Sequence, residues 1–241
     1  MREFKQCESA LADGRKVVLR EVTGAAIAAM RSGAGLQSMA AYLAECLVTV
    51  DGRKVVVERG EGQDDAFPAM DLTEYDFRRQ VRAVRVLSYG PLLEECEFTC
   101  ANAAAAAHTG GTGLRFKPAQ PIDLTKLEGR EPDASAATVR HAWGTVVLRP
   151  ETWRGLCASL AVQVNEFADL LMRRVATIDG KPFLGANSLS GREIRDVRRQ
   201  MARYDGDAGL SVTVTCPACG ATRTIDLLLS DETVLDFFGL A

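Results

Sequence analysis

The chain has 241 residues, 47% of them apolar and 25% charged, with a formal net charge of −3. Such a composition belongs to a globular protein that can bury a real core, and the near-neutral balance argues against a protein whose main task is gripping nucleic acid, since such domains are plainly basic. The N-terminal run MREFKQCESALADGRK has no apolar stretch, so no signal peptide is expected, and no apolar run approaches the eighteen or so residues a membrane span needs. The seven cysteines therefore read as reduced thiols or metal ligands rather than a disulfide framework.

In chain order, the first element is a strand at Val17, Val18 and Leu19, ending in Arg20. Two short helices follow, over 23–31 and 36–48, interrupted by Gly33 and Gly35. An Asp51-Gly52 turn leads into a strand over 53–58, and a basic helix begins behind Thr73 and Asp76, a weak capping box. The series then recurs. KVVLREVTG (16–24) returns as TVVLRPETW (145–153), TVDGRKV (49–55) as TIDGKPF (177–183), and YDFRRQVRAV (75–84) as RDVRRQMARY (195–204), at offsets of 129, 128 and 120. In the second series the helices fall over 151–161 and 163–176, the turn at Asp179-Gly180, and the third helix behind Ser190 and Glu193. Collinear matches at nearly constant offset are the mark of tandem duplication. The expected architecture is α+β: two copies of a strand–helices–strand module, related by a pseudo-twofold axis, at 1–127 and 139–241, with a linker at 128–138.

The strongest chemical motif is SVTVTCPACGATRTIDL, in which Cys216 and Cys219 flank a turn between two alternating runs. A C-P-x-C-G turn aims backbone N–H groups at its sulfurs and holds two thiolates toward one ion. A closed zinc site needs four ligands. Subtracting the offset of 120 from 216 gives Cys96, with Cys100 four residues on. The expected site is thus Cys96, Cys100, Cys216 and Cys219 around one structural zinc shared between the halves, with an iron–sulfur cluster as the alternative occupant. Cys46 and Cys157 lie on apolar helical faces and read as buried small hydrophobes. His108 and His141, the two histidines, read as loop residues. The HTGGTG stretch (108–113) lacks the Lys-Ser/Thr of a phosphate loop and reads as linker.

The third helices carry clustered arginines, among them Arg78, Arg79 and Arg82 in the first and Arg198 and Arg199 in the second. These are the candidate partner-docking residues, set against a solvated or ion-paired face. The repeated D-x-R-R-Q suggests an Asp–Arg pair within each helix. No catalytic constellation is present, so the chain does not read as an enzyme, and no small-molecule substrate or membrane partner is expected.

The strand-plus-Arg opening, the helical pair, the D-x-R-R-Q helix, C-P-x-C-G running into IDLLL, and the terminal DFFGL together resemble the baseplate hub assembly proteins of T-even-type phages, found also in contractile injection-type tail clusters. The resemblance is best in the second half; the first half has CEFTC in place of C-P-x-C-G. It implies a non-enzymatic protein that binds baseplate, hub or other tail proteins during phage tail assembly. Such a protein acts as a chaperone or stays as a minor structural protein of the contractile tail, and is found in the bacterial cytoplasm or on the particle. The competing reading is a zinc-ribbon nucleic-acid-binding or transcription-associated protein using the arginine helices. Near-neutral charge and the lack of aromatics interleaved among the arginines speak against it.

Overall fold

The computed structural model describes residues 4–32, 35–55, 68–94, 96–102, 104–105, 107–108, 114–161, 166–230 and 233–238. It is mixed helix and sheet. The first half opens with a four-stranded antiparallel sheet of β1 (Gln6–Ala10), β2 (Lys16–Arg20), β3 (Leu47–Val50) and β4 (Arg53–Lys54), in that order. Helices α1 (Gly24–Ser32) and α2 (Leu36–Cys46) form the connection from β2 to β3. Helix α3 (Glu74–Tyr89) packs back on β1 and β2, with Thr73 as its N-cap accepting from the Asp76 N–H. Two small hairpin-like pairs follow. In one, β5 (Leu92–Leu93) pairs with β8 (Ile122–Asp123); in the other, β6 (Phe98–Thr99) pairs with β7 (Arg115–Phe116).

The second half has a sheet of β9 (Thr138–His141), β10 (Gly144–Leu148), β11 (Val175–Ile178) and β12 (Lys181–Pro182), again antiparallel and again in chain order. Here α4 (Trp153–Ala161) and α5 (Glu166–Arg174) connect β10 to β11, and α6 (Gly191–Asp205) follows behind a Ser190–Glu193 capping box. The β13 (Ser211–Thr215) and β14 (Thr222–Asp226) hairpin and the short α7 (Val234–Phe237) complete the chain.

Two features differ from the helices expected over 36–48 and 163–176. Helix ends at Cys46 and Arg174, and the chain passes straight into strand. The reason lies in LVTV and VATI: β-branched side chains lose rotamer freedom in a helix and pack well on a pleated sheet. The Asp-Gly turns form as expected, with Asp51 and Asp179 at φ of 51° and 50° and the following glycines at 74° and 76°, the left-handed pair that a tight hairpin requires. The strand expected over 53–58 is seen through Lys54; residues 56–58 lie outside the described residues.

The apolar clusters cut across the expected boundary at 128–138. One contains Val146, Leu148, Leu171, Val175, Phe183, Val197 and Met201, all from the second half. The other joins the first half to Trp153 and to the C-terminal hairpin and helix, through Leu210, Val214, Ile225, Leu227, Leu228, Phe237 and Phe238. The DFFGL phenylalanines are fully buried, and Phe238 meets Tyr42 edge-on at 4.7 Å. Nor is the connection a loose one. Ala136 is fully buried, and Arg130 and Asp207 exchange both backbone hydrogen bonds, at 2.8 and 2.7 Å.

Gly206 shows how tightly that connection is held. Its φ of 71° and ψ of −160° lie in a region essentially closed to other residues, and a Cβ there would stand 2.5 Å from the Arg130 carbonyl oxygen and 2.7 Å from Pro132 N. Gly206→Ala is expected to cost about 3 kcal/mol, a fall in melting temperature of about 6–12 °C, measurable by differential scanning calorimetry.

The D-x-R-R-Q aspartates reach beyond their own helices. Asp76 accepts from the Ala12 N–H at 2.7 Å and Asp196 from the Trp143 indole at 3.2 Å. Each ties its helix to the turn between the first two strands of its sheet. The glutamines serve the same purpose: Gln80 donates to the Ala10 carbonyl, and Gln200 to those of Ala136 and Val146. Among the described residues no helix is long and apolar enough to cross a membrane.

Candidate metal centre

The turn of the β13–β14 hairpin is Cys216-Pro217-Ala218-Cys219-Gly220. Gly220 takes φ 72°, which lets its N–H close on the Cys216 carbonyl at 2.9 Å while the Cys216 N–H bonds to the Ala221 carbonyl at 2.8 Å. The turn thus brings both sulfurs to one side. Facing it is the end of the β6–β7 pair. Cys100, just past β6, donates its N–H to the Leu114 carbonyl at 2.7 Å, and His108 lies at the same place.

Cys100, His108, Cys216 and Cys219 have ligand atoms that all lie within 4.8 Å of one another. The first three residues are buried and Cys219 is half-buried. Cys100 Sγ and Cys219 Sγ are 3.4 Å apart, and Cys216 Sγ lies 3.6 Å from His108 Nε2. Around a tetrahedral ion with S at about 2.3 Å and N at about 2.0 Å, ligand atoms stand roughly 3.5–3.8 Å apart. The group therefore needs little adjustment to hold one ion. Three thiolates and an imidazole form a standard closed structural set, and this cluster could bind a metal ion.

Electrostatics favour an ion on the C-terminal side. Burial pushes the Cys216 thiol up, but backbone N–H groups of Cys219 and Ala218, with the Cys100 and Cys219 thiols, outweigh it and bring the group down to about 7. Burial dominates at Cys100 and raises it, partly offset by the Asn102 N–H, 3.3 Å from its sulfur. A cation would supply what this set of close sulfurs lacks, since coordination deprotonates a thiol outright.

Three of the four expected ligands thus meet, and the fourth is corrected. Cys96 is fully buried in the main apolar cluster, outside the four-ligand group. A chain passing through a strand such as β6 separates residues four apart by up to about 13 Å, so C-x-x-x-C across it does not chelate as a turn does. His108 takes the place, not as a solvated loop residue but 4% exposed. Its sequence signal was slight: one of two histidines, eight positions after Cys100. His141 is likewise no free loop residue, stacking on Trp143 at 5.2 Å and bonding to Gln200 at 2.9 Å. Cys46 is buried as expected, its thiol pushed up to about 12 by desolvation.

The arginines proposed for docking divide into two groups. Arg78 is 11% exposed and pairs with Glu74 at 2.9 Å and Asp226 at 2.7 Å. Arg82 donates to the carbonyls of Leu127 and Ala208. Both clamp the C-terminal segments onto α3. Arg79 is more open, with a 3.8 Å pair to Glu131, and Arg198 and Arg199 are exposed on α6. No family model, no curated protein and no solved structure matches this chain.

Proposed function

We propose that the chain is a non-enzymatic structural or assembly protein, a tandem duplication of one module locked by a structural zinc ion, and that it serves the baseplate hub of a contractile phage tail or injection system. The observation that carries the structural reading is the closed, buried set of four ligands drawn from hairpins more than a hundred residues apart. Four protein ligands leave no position for substrate. The duplication is supported by the shared strand order, by the irregularity in register at the same place in each sheet, between Val18 and Leu19 and between Val147 and Leu148, and by the paired left-handed Asp-Gly turns. The correspondence ends after the third helix, where the β6–β7 pair and the tight β13–β14 knuckle differ. The tail assignment rests on the resemblance of the D-x-R-R-Q, C-P-x-C-G and DFFGL segments.

Expression of a tagged chain in cells producing a contractile tail tests the assignment. Co-sedimentation with baseplate or hub complexes is expected, and a chain that stays free of every tail component contradicts it. The nucleic-acid alternative is disfavoured by the internal use of Arg78 and Arg82. No saturable binding to duplex or single-stranded DNA is expected at physiological salt; a micromolar complex that weakens steeply as salt rises would reverse that preference.

A further inference from the structure

The four ligands of the centre are not equally sheltered. Cys100, His108 and Cys216 are buried, whereas Cys219 is half-buried on a turn whose Pro217, Ala218 and Gly220 are exposed. Cys219 is therefore the sulfur that a small solute meets first. Cys100 Sγ stands 3.4 Å from it, across a contact that spans 119 positions of the chain. Cys100 is itself well fixed, its N–H bonded to the Leu114 carbonyl at 2.7 Å and its sulfur accepting from the Asn102 N–H at 3.3 Å. Cys216 is engaged elsewhere: its sulfur lies 3.6 Å from His108 Nε2 and receives the N–H groups of Cys219 and Ala218.

We infer that the centre is a redox-convertible staple. Coordination of zinc holds the β6–β7 and β13–β14 hairpins together, and after reaction with a peroxide a Cys100–Cys219 disulfide holds the same two hairpins. This conversion rests on the zinc reading of the cluster and adds to it the response of the site to oxidant. Disulfide sulfurs stand about 2.05 Å apart, so the pair must close by about 1.4 Å.

A coordinated cysteine is a thiolate, which is also the nucleophilic form. The Cys219 thiolate attacks one oxygen of hydrogen peroxide, breaking the O–O bond and forming a sulfenic acid with loss of hydroxide. The Cys100 thiolate then attacks that sulfur, forming the S–S bond and displacing a second hydroxide. Two electrons pass from the sulfurs to the peroxide, and two protons from solvent turn the hydroxides into water. His108 and Cys216 alone do not close a tetrahedral site, so the ion is lost. The fastening is not. A cross-link that closes so long a loop restricts the unfolded chain strongly. An assembly protein made among reduced thiols and later exposed to an oxidising medium keeps its halves joined in this way.

The test uses full-length protein loaded with zinc under reductant, desalted, and treated with a small excess of hydrogen peroxide. Release of one zinc per chain, read with a chromogenic chelator, is expected in step with a fall in titratable thiols from seven to five. Peptide mapping is expected to show Cys100 joined to Cys219, and a thiol reductant supplied with zinc to reverse both changes. His108→Ala keeps both sulfurs without the full ligand set, so it gives an arm independent of zinc. Peroxide is expected to raise its melting temperature by at least about 5 °C, and to give no rise in the double variant His108→Ala, Cys219→Ser. Joining of Cys216 to Cys219, overoxidation of Cys219 without a disulfide, zinc retained under peroxide, or no gain in His108→Ala overturns the proposal. Protein that never takes up zinc defeats the metal reading instead, with the His108→Ala arm still deciding the pairing, so the two failures are told apart.

Discussion

His108→Ala is expected to strip the metal ion from the purified protein, while Cys96→Ala leaves it bound. The contrast follows from position. His108 Nε2 lies 3.6 Å from Cys216 Sγ within the four-ligand group, whereas Cys96 packs among apolar side chains two residues before β6. Because structural zinc sites couple binding to folding, losing the ion frees the two hairpins at once, β6–β7 and β13–β14. The second of these, with the turn that follows it, also contributes Val214, Ile225, Leu227 and Leu228 to the main core. A fall in melting temperature of at least about 10 °C is expected for His108→Ala and for Cys216→Ser. Cys96→Ala should show only the smaller loss of a trimmed core side chain. Elemental analysis beside calorimetry reads both quantities, and a metal-free Cys96→Ala would restore the four-cysteine site.

Trp153→Ala is the second change with a large expected effect. Trp153 begins α4, in the second half, yet is fully buried in the cluster built mostly from the first. Its ring stacks on Phe77 at 3.7 Å and 9°, and its indole N–H donates to the Leu36 carbonyl at 3.0 Å. The backbone around it is fixed too: Trp153 N–H bonds to the Leu72 carbonyl and Glu74 N–H to that of Glu151. Truncation leaves a ring-sized void between the halves and orphans a carbonyl, at a cost of about 3–5 kcal/mol, which for a chain of this length lowers the melting temperature by about 6–20 °C. Metal content should stay unchanged, since the ligands come from other elements. A shift of only a degree or two would mean that this contact does not hold the halves together.

The sequence was most legible where one residue type meets a unique backbone demand. The Asp-Gly pairs announced left-handed turns, Thr73 and Ser190 announced helix starts, and C-P-x-C-G announced a two-thiolate knuckle. Register and length were harder. LVTV and VATI extend the apolar pattern of the helices before them, so only their β-branching marks the change to strand. Strands β1 and β9 escaped notice, because QCESA and TVRH carry too few large apolar residues to stand out from a loop. The offset of 120 points to Cys96 only when carried past the third helix, where β6 lies between Cys96 and Cys100 in place of the turn that joins Cys216 and Cys219. His108 stays hidden in the sequence because no periodicity in the alanine-rich stretch between Cys100 and His108 encodes its approach to Cys216.

The four-ligand centre is the claim on which the rest depends, and X-ray absorption at the zinc edge of purified, unoxidised protein tests it most directly. One ion per chain is expected, with three sulfurs at about 2.3 Å and one nitrogen at about 2.0 Å, the nitrogen disappearing with His108→Ala. A shell of four sulfurs, or protein that carries no zinc when prepared with the metal present, would contradict it.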